Sequence, residues 1–280
     1  MLLKYPEKCY FDKMKTGIFY WFSYTVPIEE RFRLIASAGF DNVILWWGDQ
    51  FADIEGAKER LPDIARRAGL FVENIHTDFA HCNSIWKDNQ EGESVFERYM
   101  ENAGACEMQN IPAMVVHLTS GNEPPPANEL GIDRLKRITA KAEKGGVIIA
   151  LENLRKNEYL ETVFAGINSP NLKLCYDSGH ENCFTKKNDV LDRFGEKLFC
   201  VHLHDNDGTD DQHGIPGIGT IDWPALIGKL KQCSFKGSVT LEAYNDFPPE
   251  FKSYTAEKFL SEAYRAARKI ADQLDGRAGQ

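Results

Sequence analysis

The sequence predicts a single (β/α)8 barrel, in which eight parallel strands form a closed sheet and a helix follows each strand. Apolar runs of strand length alternate with helical patterns at intervals of roughly 25 to 40 residues, which suit a strand, a helix and two loops. The runs are apolar on both faces, as expected of a parallel sheet that helices cover. An open doubly wound sheet is the alternative, but no GxGxxG turn follows the first run.

The predicted elements follow one another along the whole chain. Strands are expected at residues 16–22, 42–47, 70–76, 113–118, 147–152, 172–177, 198–204 and 238–242. Several begin after a short glycine turn such as Ala38-Gly39-Phe40, and a glycine just past a helix is its usual C-terminal cap. A last helix is expected at 255–274. We predict one domain over residues 1–280, with a core at about 16–274, because barrels of this length are common.

The composition is that of an ordinary globular protein, with 42% hydrophobic and 27% charged residues. The net charge of −9 argues against a nucleic-acid partner, since it repels phosphate backbones. No apolar stretch of about eighteen residues predicts a membrane helix. Residues 1–15 lack the apolar centre of a signal peptide, so a cytoplasmic protein that does not bind membranes is expected.

The seven cysteines do not form a recognisable framework. Their number is odd and no CxxC pair occurs, which argues against a disulfide scaffold and against a four-thiolate zinc site. We therefore expect reduced thiols, most of them buried.

Six successive predicted strands end on a side chain that can bind a metal ion. These side chains are His76, His117, Glu152, Asp177, His202 and Glu242. In a (β/α)8 barrel the carboxyl ends of all strands meet at one face, where the active site is built. The sequence therefore predicts that these side chains converge.

The alternation of side chains along the strands supports this prediction. Because strand residues alternate between faces, an inward Glu152 requires Ile149 and Leu151 to point outward. If Glu242 and His202 point inward, the residues that must point outward onto the helices are likewise apolar: Val239, Leu241, Phe199, Val201 and Leu203.

Carboxylates mixed with imidazoles suit a divalent cation, namely Mn²⁺, Mg²⁺, Co²⁺ or Zn²⁺. Several close carboxylates without a cation would repel one another and take up protons. The expected cofactor is therefore a divalent metal ion, and no nucleotide cofactor is expected.

At these residues the chain resembles the xylose isomerase-like TIM-barrel superfamily. It is similar to the sugar phosphate isomerase/epimerase branch, which includes ketose 3-epimerases and inosose dehydratases, and to the type-IV AP endonucleases. The most specific segment runs from His202-Leu203-His204-Asp205-Asn206-Asp207-Gly208 through Asp211-Gln212-His213 to 216–223. Asp177-Ser178-Gly179-His180 and Leu151-Glu152-Asn153 add to it.

The resemblance implies roles for particular residues. It implies that the shared metal ligands are Glu152, Asp177, His202 and Glu242. The two glutamates would also act as acid and base, and His180 would contact substrate. The endonuclease branch implies further zinc ligands, or substrate contacts, at His76, His117, His180, Asp211 and His213.

Some assignments stay open at this stage. His202 and His204 share a strand face, and we prefer His202 as the ligand; His204 or Asp205 would then orient an imidazole or a substrate hydroxyl. The family often has a glutamate where Ile218 stands. Further candidates for substrate binding are Trp46, Trp86 and Arg155, the last for a phosphate or carboxylate.

Two functions follow from this set. The first is a metal-dependent sugar or sugar-phosphate isomerase or epimerase, in which the cation stabilises an ene-diolate and Glu152 and Glu242 move the proton. A lyase of the inosose dehydratase kind is the alternative that would form the same ene-diolate. The second is a multi-zinc phosphoester hydrolase acting on abasic DNA, against which stands the aromatic segment 21–27 after the first strand. A binding protein ranks last, and the oligomeric state, including a homo-oligomer, is left open.

Overall fold

The computed structural model describes residues 13–187 and 189–276, and it confirms the (β/α)8 barrel. Eight parallel strands form one sheet in the order β7-β6-β5-β4-β3-β2-β1-β8. The strands are β1 Thr16–Phe19, β2 Asn42–Trp47, β3 Phe71–Thr77, β4 Ala113–Val116, β5 Ile148–Glu152, β6 Leu172–Asp177, β7 Leu198–His202 and β8 Val239–Leu241. The predicted domain, 1–280, extends past the described residues at both ends.

Helices surround this sheet. The α-helices are α1 Ile28–Ala38, α2 Ala52–Glu55, α3 Leu61–Arg67, α4 Gln90–Gln109, α5 Glu129–Lys144, α6 Glu158–Gly166, α7 Ser178–His180, α8 Val190–Phe194, α9 Trp223–Gln232 and α10 Ala256–Leu274. Short 3₁₀ turns occur at Lys58–Arg60, Cys82–Trp86, Gly195–Lys197 and Pro249–Ser253, and a π-helical turn at Glu181–Thr185. No helix in the described part of the chain is both long and apolar enough to cross a membrane.

The barrel closes between its seventh and eighth strands. Leu203 and Leu241 form a parallel bridge, in which the Leu203 N–H donates to Thr240 and the Glu242 N–H donates to Leu203. In the rest of the sheet, β1 to β7 pair in sequence order, and β1 also pairs with β8. The closure brings the carboxyl ends of β7 and β8 together, next to those of β5 and β6.

The barrel interior has its own small apolar cluster beneath the strand ends. Val115, Ala150, Cys175 and Cys200 pack together and are fully buried. Each lies two positions before a candidate site residue on its strand, so it shares that residue's face. The cluster forms an apolar floor under the predicted site.

The expected orientation of Phe199 is wrong. Phe199 packs against the interior cluster rather than among the helices. The reason is a register shift between β6 and β7: Leu174 pairs with Leu198, but Cys175 pairs with Cys200. Phe199 is thus the extra residue at this shift, where simple alternation does not hold.

Helix caps match the sequence patterns, whereas some strands end earlier than predicted. Gly39 ends α1 with a φ of 107°, a left-handed conformation that favours glycine. The Thr255 side chain accepts a hydrogen bond from the Lys258 N–H and so begins α10, within the helix predicted at 255–274. β1 ends at Phe19, three residues before the predicted end.

The described cysteines carry free thiols. Five are buried and Cys233 is half-buried. Cys9 lies outside the described residues. The thiols that are described fit the expectation of reduced, mostly buried cysteines.

Candidate metal centre and active site

Four strand ends bring Glu152, Asp177, His202 and Glu242 together. Each offers one ligand atom, and these four atoms all lie within 4.8 Å of one another. His202 Nδ1 lies 3.0 Å from Glu152 Oε1 and 3.1 Å from Glu242 Oε2. All four side chains are buried. The predicted set therefore converges on one point at the mouth of the barrel.

Two further groups with metal-ligand chemistry adjoin this centre. His76 and His117 approach Glu152 Oε2 at 3.2 and 2.7 Å. On the other side, His204, Asp211 and His213 place their ligand atoms within 4.8 Å of one another. The Nε2 atoms of His180 and His213 lie 3.2 and 3.4 Å from Asp211 Oδ2.

Backbone carbonyls orient three of these imidazoles. The Nδ1 atoms of His76, His180 and His213 lie 3.1, 3.0 and 2.9 Å from the carbonyl oxygens of Thr77, Asn153 and Glu242. A carbonyl can only accept, so each Nδ1 carries the proton. Each Nε2 therefore points toward the carboxylates as a ligand atom of fixed direction.

The turn after β6 is built around a glycine. The Asp177 carboxylate accepts a hydrogen bond from the His180 N–H at 2.7 Å and caps the short helix α7. A side chain at position 179 would lie 1.8 Å from the His204 ring. Only glycine lets the imidazole of His204 pack under this turn, 3.1 Å from Asp177 Oδ1.

The electrostatics of the centre couple its acids to its imidazoles. Burial raises the pKa of Glu152, but His202 and His117 outweigh this effect and hold it well below its usual value. Burial lowers the pKa of His202, but Glu152 and Glu242 hold it well above its usual value. The pKa of Glu242 is lowered for the same reason, since His202 and His213 outweigh its burial. The glutamates are therefore ionised.

The donor set fits a cation. Asp177 Oδ2 and Asp211 Oδ1 are buried, and no residue in the described part of the chain donates a hydrogen bond to either oxygen. An unpartnered buried carboxylate oxygen is costly unless positive charge reaches it. Three carboxylates and an imidazole around one point are a ligand set for a divalent cation, and Glu152, Asp177, His202 and Glu242 would hold it.

A cavity of about 290 Å³ opens above the centre. Glu152 and Glu242 lie in its wall together with aromatic side chains. Its lining residues are Phe19, Trp21, Trp46, Gln50, Phe51, His76, Phe79, His117, Glu152, His180, Asp211, His213, Glu242 and Tyr244. This volume is at the small end for ligand pockets, which suits a small polar molecule.

Sequence reasoning missed several lining residues. Tyr244 is the most informative: its hydroxyl donates to Glu242 Oε1 at 3.3 Å, and its ring stacks on His213 at 4.3 Å. Phe79 stacks on His117 at 4.6 Å, and Phe51 stacks on Trp21 at 5.1 Å. Tyr244 lies two residues past the predicted ligand Glu242. This spacing is the sequence feature that could have indicated that both side chains share a face.

Three residues predicted to bind substrate do not line the cavity. The Asp205 carboxylate is fully buried and accepts hydrogen bonds from Asn206, Ile221, Gly217 and Trp223, so it holds the segment that follows β7. Trp86 is buried and donates to the Leu118 carbonyl. His204 is fully buried behind Asp177. Asp205 and Trp86 thus support neighbouring segments, whereas His204 contacts Asp177 and belongs to the adjoining group with metal-ligand chemistry.

The other candidates do lie at the cavity. Trp46 lines it and stacks on His76 at 5.4 Å, whereas Trp47 is packed into the core. His180 lies in its wall. Arg155 lines an adjoining cavity.

Comparison with known proteins gives the chain's relationships. A sequence model of the xylose isomerase-like TIM barrel family matches residues 32–263. Fructoselysine 3-epimerase of Escherichia coli O157:H7 is 24% identical over 274 residues, which cover 90% of this chain and 98% of that protein. Inosose isomerase of Bacillus subtilis is 30% identical over 156 residues, covering 51% of this chain and 55% of that protein.

Solved structures show the same fold. The IolI protein with a bound zinc atom superposes with a TM-score of 0.78 at 18% identity, covering 93% of this chain and 99% of that chain. A D-tagatose 3-epimerase-like protein superposes with a TM-score of 0.70 at 20% identity, covering 95% and 100%.

Proposed function

This chain belongs to the xylose isomerase-like TIM barrel family, and from that premise we propose that it is a metal-dependent isomerase or epimerase of a sugar or a sugar-like polyhydroxy ketone. Its relatives include a sugar epimerase and an inosose isomerase. The observation that carries the proposal is the convergence of Glu152, Asp177, His202 and Glu242 at a small cavity.

The chemistry of the bound cation would be that of a Lewis acid, stabilising the negative charge of an ene-diolate left when a proton leaves the carbon beside a carbonyl. Glu152 and Glu242 both line the cavity, on strand ends that β6 and β7 separate. Each carboxylate can accept a proton from a substrate carbon. Epimerisation would follow if the other glutamate took up a proton from water or a substrate hydroxyl and delivered it to the opposite face of the same carbon. Isomerisation would follow if the glutamate that removed the proton delivered it to the neighbouring carbon.

Other side chains of the cavity support this role. Burial raises the pKa of Tyr244 well above its usual value, with Glu242 adding to the effect, so its hydroxyl keeps its proton and can donate to Glu242. The rings of Trp46, Phe51 and Phe79 offer apolar faces on which the C–H face of a sugar can pack. The same rings exclude water from the reacting carbon.

The test combines metal analysis with proton exchange. We expect the purified protein to hold about one divalent metal ion per chain, and to incorporate deuterium from D₂O next to the carbonyl of at least one ketose or inosose. Product analysis separates epimerisation and isomerisation from loss of water, which would indicate a lyase. A fully metal-loaded protein that exchanges no proton on any member of the panel contradicts the proposal.

A second candidate function is a multi-zinc phosphoester hydrolase. The observation that favours it is the presence of several adjoining groups of possible metal ligands rather than one. The aromatic walls and the small volume of the cavity fit a nucleic-acid backbone poorly. Three zinc ions per chain together with nicking of abasic duplex DNA would establish this candidate in place of the first.

A further inference from the structure

The active-site cavity adjoins a second compartment of about 160 Å³. Its residues come largely from the loops after β4 and β5: Phe79, His117, Thr119, Ser120, Gly121, Leu154, Arg155, His180, Phe184 and Asp211. Four of them, Phe79, His117, His180 and Asp211, also line the main cavity. A ligand bound over the metal centre could therefore extend past His117 and His180 into this space.

The two compartments differ in charge. The residues that line the main cavity include no lysine and no arginine, whereas the second compartment contains Arg155. Arg155 is exposed, and no ion pair within residues 13–187 and 189–276 involves it. Arg193, by contrast, is paired with Glu161 and Asp189. Arg155 thus brings to the compartment a positive charge that forms no ion pair with any carboxylate of the described residues.

Stacking holds this guanidinium in place. Its carbon lies 3.6 Å from the centre of the Phe184 ring. Phe184 in turn stacks on His180, with ring centres 5.1 Å apart. A guanidinium on an aromatic face keeps its N–H edge free, and that edge matches the oxygens of a carboxylate or a phosphate. Arg155 is therefore oriented as an anion receptor beside a wall of the metal site.

The acid in this compartment does not cancel that charge. Asp211 lies 3.2 Å from His180 Nε2 and 3.4 Å from His213 Nε2, so both imidazoles already engage its carboxylate. Phe79, which stacks on His117, stands between the two spaces as a shared wall.

We propose that the second compartment is an anion subsite, in which Arg155 binds a carboxylate or phosphate substituent of a sugar-derived substrate. The inference rests on the proposed function only in placing the reacting carbons in the main cavity. It narrows the substrate class to sugars that carry a negative group away from the carbonyl.

The experiment measures ligand binding by calorimetry to the metal-loaded protein. The ligands are D-fructose and D-tagatose, the 6-phosphate of each, and the 6-carboxylate of each, D-fructuronate and D-tagaturonate. The variants are Arg155→Gln and, as a matched control, Lys156→Gln, which removes a neighbouring cation that does not line the compartment. Any anion binding at the metal itself is the same in all three proteins, so their difference isolates Arg155.

We expect at least one anionic ligand to bind the wild type about tenfold more tightly than its neutral parent, which corresponds to about 1.4 kcal/mol. Arg155→Gln should remove this preference and Lys156→Gln should keep it. The series that binds more tightly, phosphate or carboxylate, identifies the substituent. Equal or undetectable binding of charged and neutral ligands, or a preference that survives in Arg155→Gln, overturns the subsite.

Deuterium exchange on the same ligands separates the two proposals. Exchange on the neutral sugars without an Arg155-dependent preference leaves the isomerase function standing and removes the subsite. Arg155-dependent binding without exchange on any of these ligands or on an inosose removes the isomerase function and leaves the subsite standing.

Discussion

The imidazole of His204 occupies the space that a side chain at position 179 would need. The nearest ring atom would lie 1.8 Å from an added Cβ. His204 also lies 3.1 Å from Asp177 Oδ1, so displacement of its ring would reach Asp177 of the candidate metal centre directly. At the scale of single residues, a glycine is therefore part of the site.

The first prediction concerns this glycine. Gly179→Ala should lower the free energy of unfolding by about 1–3 kcal/mol, as overpacking typically does, and should weaken metal binding because Asp177 shifts. The control is Gly228→Ala within α9, where an added Cβ meets nothing within 4 Å. That variant should be neutral or more stable, since alanine favours helix. Urea unfolding and metal titration measure both; equal effects of the two changes would contradict the prediction.

The second prediction concerns the two glutamates of the cavity. Glu152→Gln and Glu242→Gln should each lower turnover by about 10²-fold or more, because each removes a carboxylate that we propose acts as acid or base. Glu97→Gln, on the exposed face of α4, is the control and should keep full turnover. The rates are compared at metal saturation, with metal content measured alongside. Near-normal rates in both site variants would refute the assigned roles.

At the scale of elements, a buried ion pair joins α1 to α2. Arg31 of α1 and Glu55 of α2 are both buried and in direct contact. Tyr20, just past β1, donates its hydroxyl to Glu55 at 2.5 Å. The Arg31 guanidinium also lies 4.6 Å from the centre of the Trp21 ring, and Trp21 lines the cavity. This contact fixes the loops after β1 and β2, which form one cavity wall.

The third prediction follows from this pair. Arg31→Met should lower the free energy of unfolding by about 3–5 kcal/mol, because it leaves the Glu55 carboxylate buried without its partner. Arg33→Met, on the exposed side of the same helix, should change it little. The double variant Arg31→Met/Glu55→Gln should recover part of the loss, since the uncompensated charge is gone. Urea unfolding curves provide the measurement. An Arg31→Met variant as stable as the wild type would disprove the stabilising role of this ion pair.

At the scale of the whole molecule, the acids and imidazoles at the barrel mouth link folding to pH. Burial lowers the pKa of His213, but Asp211 outweighs it and raises the pKa to about 9. A histidine whose pKa is higher in the folded state stabilises the fold fully below its unfolded value of about 6.5. This contribution is lost as the pH rises through 9. Burial lowers the pKa of His117, so that histidine makes stability depend on pH only below about pH 6.5. It therefore does not oppose this trend.

The fourth prediction is that, in the presence of a chelator, the free energy of unfolding falls between about pH 6.5 and 9. His213→Gln should make this fall smaller, while His81→Gln, an exposed loop histidine, should leave it unchanged. Saturating divalent metal should reverse the trend, because ligands bind metal once their protons leave. Urea unfolding at pH 6.5 and pH 9 measures the change. A free energy of unfolding that stays constant or rises with pH in the metal-free protein would contradict the prediction.

The local sequence alone determined the strands and the residues that end them. The bounds predicted for β2 and β6, 42–47 and 172–177, are those of the structure, and the other strands differ only at their ends. Apolar periodicity is a local property, and in a parallel barrel it also dictates where strand ends converge. For this reason the six residues at the strand ends could be proposed from the sequence, and the resemblance to the family then implied Glu152, Asp177, His202 and Glu242 as the ligands among them.

The tertiary structure decided which way the remaining side chains turn. Phe199 points inward because β6 and β7 pair with a shift in register, which depends on contacts between strands. Asp205 turns away from the cavity because four N–H groups, three of them at Gly217, Ile221 and Trp223, surround its carboxylate. Tyr244 reaches Glu242 because the loop after β8 pairs with His213. Each outcome depends on residues distant in sequence, and no local pattern encodes such contacts.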